Sequence, residues 1–196
     1  MVALRFYGSG WEKEDATRAT RAAGVVFHEA FHFWNGELAV SHDANWLREG
    51  SAEYASLLLQ FESGRLNAAE FTARLSGSLA ECRKTLRGEP LNGPAGQDGQ
   101  APYACGTFIQ WLAERAAPAS RQGRRPFFAI WRQIVADARG RDGHLYTLDD
   151  FRRIAHLSDK ASPFGRAVQL ILYGKGTGRW DEIAAAGGLP DSDSAR

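Results

Sequence analysis

Apolar residues along most of this chain recur every three or four positions, the spacing that lines up side chains on one face of a helix. The opening is different: residues 2–7 are expected as one short strand, closed by Gly8-Ser9-Gly10. From Ala16 an Ala- and Arg-rich segment without proline runs into an apolar stretch. It stays helical to Asn35-Gly36, a natural C-terminal stop, with Asp15 and Thr17 as candidate N-caps. An irregular stretch follows to Asn45. A second helix is predicted over residues 46–62, ending at Gly64, and Asn67 with Glu70 three positions later forms a capping box for a third that reaches Leu86. Residues 87–101 hold four Gly and two Pro and form a loop, either functional beside a cleft or a connector. A fourth helix starts at Pro102 or Tyr103 and carries Phe108, Ile109, Trp111 and Leu112. A fifth opens at Pro126, with Phe127, Ile130, Trp131, Ile134 and Val135 as a core stripe. A short sixth follows Thr147, capped together with Asp150, and a seventh spans residues 163–172. Residues 174–196 are Gly-rich and polar apart from 180–186. With no internal repeat, the pattern predicts a mainly α fold, a single domain over residues 1–190 and a frayed tail at 191–196.

Composition narrows the picture without changing it. Hydrophobic residues make up 44% and aromatics 11% of 196 residues, including six Trp, which is the make-up of a folded domain with a real core. A net charge of +1, with scattered arginines, gives no electrostatic case for nucleic acid or an anionic membrane as partner. No apolar run approaches the length of a membrane span, and the N-terminus lacks the apolar centre of a signal peptide. Arg far outnumbers Lys, and Ala and Gly are abundant, as in a GC-rich genome, so a soluble bacterial protein is expected, its compartment open. The two cysteines, Cys82 and Cys105, are expected as small apolar helix residues rather than a disulfide framework.

Chemistry concentrates at His28-Glu29-Ala30-Phe31-His32. Imidazoles four positions apart sit on one helical face, so both can reach one metal ion, and the adjacent carboxylate can take a proton from a water held there. The alternative is a buried helix whose histidines are satisfied by hydrogen bonds. A third ligand is needed, and the second predicted helix carries Glu49 and Glu53 four apart, beside Trp46, Leu47 and Tyr54. One of these carboxylates can bind the ion and the other can accept a hydrogen bond from a ligand imidazole, unless both belong to a solvated acidic stripe. His42 and Asp43 in the irregular stretch, and His144 and His156 further on, read as ordinary loop or surface residues.

The run His28-Glu29-Ala30-Phe31-His32-Phe33-Trp34-Asn35, followed by Trp46-Leu47-Arg48-Glu49-Gly50, resembles the gluzincin metallopeptidases, and among them the glycyl aminopeptidases. Pro102-Tyr103-Ala104-Cys105-Gly106 is similar to the segment that carries their transition-state tyrosine, with Cys105 where the family has Lys. The resemblance, confined to residues 25–110, implies the helical subdomain of a gluzincin catalytic domain. It further implies zinc as cofactor, His28, His32 and Glu49 as its ligands, Glu29 as general base and Tyr103 as oxyanion donor. Glu53 would be the acid behind a ligand histidine, and a peptide the substrate. Two departures stand beside it. Sixteen residues separate His32 from Glu49, slightly fewer than usual, and only 27 precede His28, where the family has a β domain and a sheet-bearing half that reads the substrate's amino end. The expectation is therefore an aminopeptidase-like zinc peptidase completed by a β domain or partner chain. The alternatives are a non-catalytic zinc- or peptide-binding remnant and a zinc hydrolase acting on another bond.

Overall fold

A computed structural model describes residues 16–36, 39–40, 44–97, 99–118, 125–174 and 179–189. The strand expected at residues 2–7, the candidate cap Asp15, the loop residues His42 and Asp43, and the tail at 191–196 lie outside the described residues.

The described chain is mainly α. Its helices are α1 (Ala16–Asn35), α2 (Asn45–Glu62), α3 (Ala68–Leu86), α4 (Ala101–Ala116), α5 (Pro126–Arg139), α6 (Leu148–Ile154), α7 (Pro163–Tyr173) and α8 (Trp180–Gly187). The first seven fall where the hydrophobic periodicity puts them. Both capping boxes form: the Asn67 side chain accepts from the Glu70 N–H at 3.0 Å while Glu70 accepts from the Asn67 N–H at 2.8 Å, and Thr147 with Asp150 repeats the pattern. The eighth helix is an addition, since residues 180–186 carry too few periods to announce a helix, and packing supplies what periodicity does not. Its end is held by Trp111, whose indole N–H donates to the Gly187 carbonyl at 2.8 Å. Strand structure among the described residues is one short parallel pairing of β1 (Ala39–Val40) with β2 (Leu145–Tyr146), Ala39 opposite Leu145.

Helix α2 is the axis of the packing. α1 lies along one side and α4 along another, α3 covers α4, and α7 and α8 close the far side of α4. α5 packs on β2 and α6 beyond α1. The core is aromatic: Trp46, Tyr54, Phe108, Phe127, Trp131, Tyr146 and Phe151 are fully buried. Phe31 of α1 meets Phe127 and Trp131 of α5 with ring centroids 5.5 and 5.6 Å apart, which pins the helix bearing the histidines from behind. The loop at 87–101 is not a free connector. Leu91 is buried, and the N–H groups of Leu91 and Asn92 donate to the carbonyls of Ile171 and Leu172 at the end of α7.

One expectation is overturned. Cys82 and Cys105 are joined in a disulfide across α3 and α4. Twenty-three positions separate them in sequence, and nothing local brings them together. The antiparallel packing of α3 on α4 does. No helix among the described residues is long and apolar enough to cross a membrane.

Candidate metal centre

The site begins with the two histidines of α1. His28 and His32 lie one turn apart, and their Nε2 atoms approach to 3.1 Å. Glu49 reaches in from α2, its Oε2 at 3.5 Å from the His28 Nε2 and 3.4 Å from the His32 Nε2. The other oxygen of Glu49 is turned to the Arg48 guanidinium at 3.5 Å.

Each imidazole is held by its other nitrogen. His28 Nδ1 faces the Glu53 carboxylate at 3.0 Å, and His32 Nδ1 faces the side-chain oxygen of Asn35, also at 3.0 Å. Asn35 is fully buried, and its orientation is fixed because its amide donates to the Arg48 carbonyl at 3.1 Å and to the Ser51 hydroxyl at 2.9 Å. Its oxygen must then accept from His32. Both Nδ1 atoms face acceptors only, so both carry a proton, and in the neutral imidazoles both Nε2 atoms would turn their lone pairs toward Glu49.

Three electron-rich atoms this close repel unless positive charge lies among them. A proton is one answer. Burial disfavours charge on His28, but its bonds to Glu49 and Glu53 outweigh burial and raise the imidazole from 6.5 to about 9. The same bonds, from His28 and His32, hold the Glu49 carboxyl well below the usual carboxylate range. A divalent ion is the other answer, and the donor set fits zinc. Zinc binds nitrogen and carboxylate oxygen at about 2.0–2.2 Å, so atoms at the corners of its tetrahedron stand about 3.3–3.6 Å apart. The three separations here, 3.1, 3.4 and 3.5 Å, are close to such a triangle. Among the described residues, His28, His32 and Glu49 are the group of acids, histidines and cysteines placed to hold a metal ion.

Why Glu49 and Tyr103 come to the same place is a matter of helix crossing. A Cβ built on Gly50 would lie 2.3 Å from the Gly106 Cα, and one on Gly106 would lie 2.3 Å from the Trp46 carbonyl oxygen. α2 and α4 therefore meet backbone to backbone, which only a glycine on each allows. Glu49 sits one residue before one of these glycines and Tyr103 three before the other. The Tyr103 ring accordingly stacks over the His28 ring, centroids 6.1 Å apart and planes at 27°. Burial, and after it the Glu49 carboxylate, raise its phenol above the ordinary value, with smaller contributions from Glu29 and Glu53. Its hydroxyl therefore stays protonated and able to donate.

Glu29 lines a cavity of about 360 Å³ together with His28, Glu53 and Arg74. A second cavity of about 320 Å³ lies on the other side of Glu53, bounded by α3 and by Tyr103 and Thr107 of α4. Glu53, Gln60 and Arg74 line both, so the two form one groove across the face of α2.

All six residues singled out from the sequence thus gather at one place. His144 and His156 are exposed and stand outside the group, as expected. In the sequence Asn35 stands as a helix stop and as the end of the run that resembles the aminopeptidases, without a role toward His32. The available signal was its position three after His32, on the same helical face. Comparison with known proteins leaves the residues to speak alone, since no family model matches the chain and neither curated proteins nor solved structures give a match.

Proposed function

We propose that this chain is a zinc-dependent peptidase in which His28, His32 and Glu49 hold the metal. Zinc, when bound, supplies a Lewis acid and lowers the pKa of water to about 7. Glu29, beside the first ligand and facing the cavity, takes the proton of the attacking water and returns it to the leaving amine. Tyr103, protonated and lying over His28, donates to the oxygen on which negative charge develops. Glu53 and Asn35 keep both imidazoles in the tautomer that leaves Nε2 bare.

The observation that carries this reading is the triangle of Nε2, Nε2 and Oε2 atoms, with both Nδ1 atoms already committed elsewhere. Elemental analysis of the purified chain is expected to find one zinc per chain, lost in His28→Ala and in His32→Ala. Glu29→Gln should keep the zinc and lose about a hundredfold or more of the turnover of a mixed peptide library, the usual scale of general-base catalysis. Equal turnover by Glu29→Gln and the unaltered chain would leave a zinc- or peptide-binding module, and absence of stoichiometric metal would end the proposal.

A further inference from the structure

The groove beside the metal centre contains three carboxylates, and each has a use. Glu53 is bonded to His28, Glu81 at the far end accepts from Lys84 and Thr85, and Glu29 is the proton carrier of the proposed reaction. Two arginines line the same groove and have no such engagement. Arg21 comes from α1 and Arg74 from α3, both in the cavity that holds His28 and Glu29, and Arg74 lines the second cavity as well. Neither guanidinium makes an ion pair or hydrogen bond with another described residue. Apart from the Glu29 carboxylate, set aside for the proposed proton transfer, the groove offers a substrate two unpaired cations and no unpaired anion.

Shape agrees with charge. Gly77 lines the second cavity within α3, and a Cβ placed on it would meet nothing within 4 Å. A glycine inside a helix costs stability relative to alanine, and here no close neighbour demands it. It leaves free space one turn along α3 from Arg74, room for a substrate side chain next to the cation.

We infer that the groove binds peptides through a carboxylate close to the cleaved bond, with Arg74 and Arg21 as the specificity-determining residues. This rests on the peptidase reading above. The carboxylate comes either from the C-terminus of the peptide or from an Asp or Glu side chain. A guanidinium recognises both in the same way, by charge-assisted hydrogen bonds.

The test uses the zinc-loaded full chain carrying Glu29→Gln, so that binding is read by calorimetry without turnover. The probes are N-acetylated tetrapeptide libraries, which lack a free amine: one as free acids, one as amides, and one as amides with Glu fixed at a single position. Tighter binding of the first over the second by about tenfold or more assigns the C-terminal carboxylate, and a gain confined to the third assigns the side chain. Arg74→Gln and Arg21→Gln, both exposed positions, should each shrink that ratio severalfold, and together should bring it near one. Equal binding of all three libraries, binding of none, or a ratio unmoved in the double variant overturns the inference. Failure of the peptidase reading is separately visible, as an unaltered zinc-loaded chain that cleaves neither these libraries nor the mixed peptide library with free amino ends, whatever it binds.

Discussion

Asn35 shows how much a single side chain can decide at this site. It sets the His32 tautomer through one oxygen, while the Arg48 carbonyl and Ser51 hydroxyl prevent its amide from turning over. Asn35→Ala removes that constraint without touching a ligand. It is expected to weaken zinc affinity by about 10–100-fold, measured by chelator competition, with the Glu29 chemistry intact in the zinc-saturated protein. The proton on His28 makes a second prediction. Its raised value of about 9 means that, in chelator-treated protein, the charged imidazole contributes stability that is fully present below 6.5 and is lost as pH rises through about 9. Glu49, held below its ordinary range, contributes in the opposite sense, with its share lost on acidification. The melting temperature of the metal-free chain should therefore fall between pH 6.5 and 9. Zinc must displace the same proton, so its affinity should climb across that window. A metal-free melting curve flat over this range would contradict the arrangement of Glu49 and Glu53 around His28.

At the scale of elements, the crossing of α2 and α4 is the feature on which the site depends. Gly50→Ala or Gly106→Ala would force the two backbones apart to admit one methyl group. The expected cost is about 1–3 kcal/mol or more, seen as a lowered denaturation midpoint, and the shift should also draw Glu49 away from the histidines and reduce zinc stoichiometry. Wild-type stability with full zinc in either variant would refute it. Much of the helical layout was legible beforehand, because caps such as Asn67 with Glu70 and the stripe from Phe127 to Val135 are local signals with local causes. The six candidate residues that the structure brings together were legible through their order and spacing. The reason for the two glycines was not, because each makes sense only against the other helix. Nor was the role of Asn35, whose partners lie 13 and 16 positions away. Helix α8 escaped because a helix this short is stabilised by what it packs on rather than by its own periodicity.

For the molecule as a whole, the disulfide is the feature the sequence hid most completely, since a pair of cysteines has no local signature of pairing. Its placement has consequences. Cys105 lies two residues after Tyr103 on α4, and Cys82 lies two turns after Arg74 on α3, so the bond ties together the two walls of the groove. The residues proposed to hold the metal are on α1 and α2, outside the bridged segment. Closing a loop of 23 residues restricts the unfolded chain by roughly 3 kcal/mol in the chain-entropy account, which for a domain of this size is about 6–12 °C in melting temperature. The double variant Cys82→Ser, Cys105→Ser, or treatment with a thiol reductant, should lower the melting temperature on that scale while leaving one zinc per chain. Bonds of this kind persist where the surroundings are oxidising, so thiol titration of protein produced in an oxidising compartment should find no free cysteine. Protein made in a reducing one should show two and melt lower. If reduction stripped the zinc as readily as it lowered the melting temperature, the division between a metal centre built on α1 and α2 and a groove wall built on α3 and α4 would not hold.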